Sequence, residues 1–99
     1  MARYDLFSSV GAEGYLLNVQ TDLLDHLKTR VVIPLLPAGT TPPPVKRLNP
    51  IFEIGGQKYV LATQLLSAVP VQELTRREDS LSRYHDQIVG ALDMLFQGF

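Results

Sequence analysis

Arg30-Val-Val-Ile-Pro-Leu-Leu36 is the run whose reading decides the fold. Three β-branched residues in succession, followed by two leucines, predict a strand apolar on both of its faces and therefore buried. Pro34 interrupts the run chemically, because it has no N–H for a ladder; it is expected at an edge or a bulge. Upstream, Tyr15–Gln20 and Arg3–Ser8 read as two further strands, with a hairpin break at Gly11-Ala-Glu-Gly14 between them. Thr21 and the segment Asp22–His26 separate the second strand from the Arg30 run, and the spacing predicts a turn there. On spacing alone, Leu23 and Leu24 within that turn are expected to fold back onto the core.

Downstream, residues 37–50 hold five of the seven prolines and predict an irregular, stiff connection. Ile51–Ile54 and Gln57–Ala62 flank Gly55-Gly56, a hairpin signal because both glycines can take positive φ. Thr63–Leu66 predicts one helical turn and Ala68–Leu74 another strand. The last segment changes period. Leu81, Tyr84, Ile88, Leu92 and Leu95 recur at steps of three and four, with Val89 and Phe96 beside them, and predict one C-terminal helix. Ser80 or Ser82 is expected to cap its start and Gly98 its end, and Gly90 to permit close packing. The fold class that follows is mainly β (α+β): a small, strongly bent antiparallel sheet with one helix laid on it, in a single domain over residues 1–99.

Composition narrows the chemistry. The chain has 99 residues, nine Lys or Arg against ten Asp or Glu, a net charge of −1 and no cysteine. Disulfides, thiolate metal sites and cysteine nucleophiles are excluded. The charge balance argues against a domain that grips nucleic-acid phosphates by itself. No apolar run reaches the ~18 residues of a membrane span, and the N-terminus has no secretory signal pattern, so a cytoplasmic protein without membrane contact is expected. His26 and His85 stand apart, each beside an aspartate, and read as solvated surface residues; no triad, HExxH or His cluster is present. Neither a cofactor nor a metal is called for, and no catalysis is expected. Arg76-Arg77-Glu78-Asp79 reads as a solvated approach to the helix, and Lys46-Arg47 is too small a footprint for nucleic acid. The tail Gln97-Gly98-Phe99 is expected to fray as termini do, though Phe99 leaves an apolar group and a carboxylate at an exposed end.

Two of these places carry a resemblance. Asn18-Val-Gln-Thr-Asp-Leu-Leu-Asp25, then Thr29-Arg-Val-Val-Ile-Pro-Leu35, then Ser67-Ala-Val-Pro-Val71 and the ending Ala91-Leu-Asp-Met-Leu-Phe-Gln-Gly-Phe99 resemble, in order and spacing, the CcdB family of toxins. The resemblance implies an SH3-like β-barrel or bent sheet with a three-stranded wing and a C-terminal helix, paired as a homodimer. It implies binding to the DNA gyrase A subunit and trapping of the enzyme on cleaved DNA. It also implies neutralisation by a CcdA-type antitoxin, through which alone the operator DNA of the operon is reached. The gyrase-contacting positions carried over are Thr21, Leu23 and Leu24 in the loop, Asp93 on the helix, and Gln97, Gly98 and Phe99 at the tail. One position departs: the best-known members have Trp where this chain has Gln97, and an amide stacks on a cation more weakly than an indole. Two other readings share this architecture. One is a degenerate toxin kept as an antitoxin-binding regulatory dimer; the other is a MazF/Kid-like endoribonuclease toxin, which would need a basic groove that this composition does not offer.

Overall fold

The Arg30 run forms β3 (Thr29–Pro37), and the sheet is organised around it. The computed structural model describes residues 1–9 and 13–99, so the predicted break at Gly11 and Ala12 lies outside the described residues. The other elements are β1 (Asp5–Ser8), β2 (Tyr15–Asn18), β4 (Ile51–Ile54), β5 (Gln57–Leu61), β6 (Ser67–Pro70), β7 (Arg77–Ser80) and the helix α1 (His85–Gln97). All pairings are antiparallel, in the order β4-β5-β3-β2-β1-β7. β3 pairs with β2 along one side. Along the other it serves two partners in turn: Thr29–Val32 with β6 and Leu35–Pro37 with β5. The path curls into a half-barrel, and the C-terminal half of β3 with β5 and β4 makes the three-stranded wing.

Pro34 stands where β3 changes partner. Its carbonyl accepts from Ala62 N at 2.9 Å on the side that faces β5 and β6. The N–H and C=O of one strand residue point the same way, so the missing donor falls in the gap between the two ladders and costs the sheet no bond. The expected exception for this proline is therefore a handover inside a central strand.

Alternation along the strands builds two cores. Leu6, Leu17, Ile33, Leu35 and Leu61 face the concave side with Tyr4, Val19, Phe52 and Tyr59; α1 closes over them with Ile88 and Ala91. Phe52 and Tyr84 stack at 4.6 Å between ring centroids. Phe7 and Val32 face the other way and are covered by Leu74. Each fully buried leucine or isoleucine contributes about 1.5–3 kcal/mol from desolvation, and the second layer explains why Val31-Val-Ile33 shows no polar alternation.

Several boundaries differ from the sequence reading. Arg77–Ser80 is β7, an edge strand on β1, and not a solvated approach to the helix. Its charges are what an edge needs to discourage further pairing, and Arg77 Nε meets the buried Asp5 carboxylate at 3.1 Å. β6 ends at Pro70, and residues 71–73 turn in a 3-10 helix that delivers Leu74 to the second core. α1 receives no cap from serine: Tyr84 occupies the N-cap position without a side-chain bond, while Ser80 Oγ accepts from Ser82 N at 3.3 Å. The glycine pair 55–56 takes φ of 60° and 82°, as a tight hairpin requires.

Candidate binding surface

The turn after β2 is built inside out. Residues 22–24 form a 3-10 turn whose first amides are met by Thr21: its Oγ1 accepts from Leu23 N at 3.3 Å and its carbonyl from Leu24 N at 3.1 Å. Asp22 Oδ1 accepts from Arg3 N at 2.7 Å, tying the turn to the N-terminal segment. Beneath the turn lies Arg30, only 5% exposed. Its NH2 group donates to the Asp25 carbonyl at 2.7 Å and to the Asp25 carboxylate at 2.9 Å, while NH1 donates to the carbonyls of Leu27 and Thr29. Gln20 adds Nε2 bonds to the Leu24 and Thr29 carbonyls and receives one from Val31 N. With polar groups filling the interior, the leucines point out: Leu23 is 85% exposed, and Leu24 and Leu27 are exposed as well. The expectation that Leu23 and Leu24 fold onto the core is overturned: the turn packs its carbonyls, not its leucines, against the buried Arg30.

The second group of carried-over residues sits at the far end of α1. Gly98 ends the helix at φ 82°, its N–H bonding the Met94 carbonyl at 3.1 Å, the left-handed cap that glycine adopts without strain. Asp93 is half-buried, and Gln97 Nε2 lies 3.4 Å from its carboxylate, a weak contact on an exposed face. Phe99 is 71% exposed, and Phe96, which lies beside the apolar stripe of α1, is 69% exposed. The tail is thus an aromatic pair around a glycine, with an amide between them. No hydrogen bond or ion pair joins Thr21, Leu23 or Leu24 to Asp93, Gln97 or Phe99 among the described residues; within one chain they are two patches.

Neither patch is a cavity. One cleft lies beside Tyr15, Tyr59, Arg76 and Glu78, and another beneath Pro42, Pro43, Val45 and Leu65, both away from the turn and the tail. His85 is exposed but not merely solvated, since its Nδ1 lies 2.8 Å from the Tyr4 hydroxyl. Among the described residues no group of three His, Cys, Asp or Glu converges as a metal site. Among the described residues no helix is long and apolar enough to cross a membrane. What the two patches can offer is contact: projecting apolar side chains on a braced turn and a capped helix end.

A family model for the CcdB protein matches residues 3–98. The chain belongs to the CcdB family. It is accordingly the toxin of a toxin–antitoxin system, and the matched span includes the turn, β3 and nearly all of the tail. Sequence reasoning placed Thr21, Leu23, Leu24, Asp93, Gln97, Gly98 and Phe99 on this CcdB surface through the resemblance, but it missed Arg30, Gln20 and Phe96. A signal for Arg30 was present: it shares the alternation of Val32 in an apolar strand, where a charge is either solvated or internally bonded.

Proposed function

We propose that this CcdB-family toxin poisons DNA gyrase by binding its A subunit and holding the enzyme on cleaved DNA. The observation that carries this reading is the outward display of Leu23 on a turn whose backbone is already fixed. A rigid apolar anchor in water loses little conformational freedom on docking, which is the economy of a binding hot spot. Thr21 and Leu24 flank that anchor. Asp93, Gln97, Gly98 and Phe99 supply the second contact, with Phe99 offsetting part of the apolar area that Gln97 lacks relative to Trp. The action is binding, not catalysis, and takes place in the cytoplasm where gyrase works. Two copies pair as a homodimer, which brings the tails of both chains near the twofold axis. A CcdA-type antitoxin wraps that dimer, displaces gyrase and carries the complex to operator DNA.

The direct test mixes purified protein with gyrase, supercoiled DNA and ATP, then denatures the reaction and scores linear DNA. Accumulated cleavage complex that disappears on adding antitoxin peptide is the expected result. Wild-type protein that leaves gyrase turnover and cleavage unchanged would refute gyrase as the target, and cleavage of RNA by pure protein would refute the non-catalytic reading. A degenerate toxin is the outcome if antitoxin binds tightly while gyrase does not, with Gln97 as the first residue to convert to Trp.

A further inference from the structure

The turn that carries Leu23 inverts the usual arrangement of a small domain. The carbonyls of Asp25, Leu27 and Thr29 are met from within by the buried Arg30, and those of Leu24 and Thr29 by Gln20 at the exposed margin. Leu23, Leu24 and Leu27 point outward. Among the described residues every hydrogen-bond partner of the Arg30 guanidinium lies between Asp25 and Thr29, and none lies in the two cores. A buried charge that served only the sheet would seek a partner on a neighbouring strand, as the Asp5 carboxylate does with Arg77. A planar fork with five donors meets four acceptors here in a fixed geometry, one more than the three donors of an ammonium could serve.

We propose that Arg30, with Gln20, is a positioning residue for target recognition: it holds the turn 21–27 with its leucines facing out, so that the partner meets a preformed apolar anchor. This rests on the reading of Leu23 and Leu24 as target contacts. The physical sequence is short. Without the guanidinium the inward carbonyls lose their donors inside a poorly hydrated space. The turn then relaxes to hydrate them, and the leucines become free to seek the apolar surface they now avoid. Binding must afterwards select the outward conformer from a mixture, which lowers apparent affinity by the fraction still competent.

The test uses the full chain with Arg30→Lys and, because that variant risks misfolding, Gln20→Met, which removes three bonds at a half-exposed position and keeps the stem length. Amide hydrogen exchange is read at Leu24, Asp25 and Leu27, each bonded within the turn, and at Ile33 and Leu35 in the core. Affinity for a gyrase A fragment is measured beside it. We expect exchange in the turn to quicken about tenfold or more with the core protection unchanged. Affinity for the gyrase fragment should fall to the same degree. Combining Arg30→Lys with Leu23→Ala should cost less than the sum of the two. Unchanged exchange in the turn for both variants would overturn the proposal, as would equal quickening in turn and core, which marks a global stabilising role. If wild-type protein fails to bind the gyrase fragment, the target reading falls while the exchange comparison still decides what Arg30 does.

Discussion

The Tyr4 hydroxyl and His85 Nδ1 lie 2.8 Å apart, with their rings edge to face at 5.4 Å, and this contact joins the lead-in to β1 to the first residue of α1. Tyr4 is buried and holds φ at 73°, an uncommon conformation for a tyrosine. Its backbone is fixed on both sides: Tyr4 N donates to the Asn18 carbonyl at 2.6 Å, and its carbonyl accepts from Leu81 N at 2.9 Å. One residue thus ties β2, the approach to α1 and the N-terminal segment.

Burial pushes the Tyr4 phenol above the ordinary tyrosine value, with the Arg3 cation drawing it back in part, and burial raises Tyr15 as well. A raised folded-state value means the folded protein holds its proton longer than the unfolded chain. The associated stability is therefore complete below the unfolded value of about 10 and is lost as pH rises through the folded one. Urea midpoints should decline above pH ~10. Tyr4→Phe should lower the unfolding free energy at pH 7 by about 0.5–1.5 kcal/mol through the lost hydrogen bond and should flatten the alkaline decline. An alkaline slope identical to wild type would remove Tyr4 from its cause.

Leu23→Ala separates surface from core. At 85% exposure the side chain contributes little to folding, so stability should stay within about 0.5 kcal/mol of wild type. Affinity for the gyrase A fragment should fall by about 2 kcal/mol or more if Leu23 is the anchor proposed. Calorimetry of both quantities decides the matter, and a variant that binds as tightly as wild type would sink the anchor.

Removing Gln97-Gly98-Phe99 should leave the protein folded, because these residues are exposed and are held by the last turn of α1, the Gly98–Met94 bond and the weak Gln97–Asp93 contact, none of which reaches the core. The cost should be about 1 kcal/mol, while growth inhibition in cells is lost. Retained toxicity in the folded truncation would place the target surface elsewhere.

The two informative glycines should respond oppositely to alanine. Gly14 holds φ at 122°, and a Cβ there would run into the Leu35 carbonyl oxygen. Gly14→Ala should therefore cost about 3 kcal/mol or prevent folding. Gly90 lies inside α1 with nothing within 4 Å of an added Cβ, so the close packing expected of it does not occur within the chain. Gly90→Ala should raise stability by about 0.5–1 kcal/mol. Thermal midpoints read both, and a destabilised Gly90→Ala would instead mark that face as a contact of the proposed second copy.

The elements with strong local signals were legible in the sequence. The Arg30–Leu36 strand, the Gly55-Gly56 hairpin and the stripe from Ile88 to Leu95 each carry a period or a turn residue that a single segment can display, and the Gly98 cap needs only its own φ; Leu81 and Tyr84 continue the spacing but precede α1. β7 was hidden because its evidence is nonlocal: Arg77-Glu-Asp-Ser80 has no apolar alternation, and only pairing with β1 makes it a strand. Pro34 was foreseen as an exception, but its place at the change of partner depends on where β6 ends and β5 begins. The direction of Leu23 is the clearest case of tertiary decision. Spacing cannot say whether two leucines in a turn face in or out, because that depends on what already fills the interior. Arg30 comes from five residues beyond the turn's last carboxylate and Gln20 from the segment that follows β2. Once both have satisfied the turn's carbonyls, no apolar space remains for the leucines, and burial yields to hydrogen bonding.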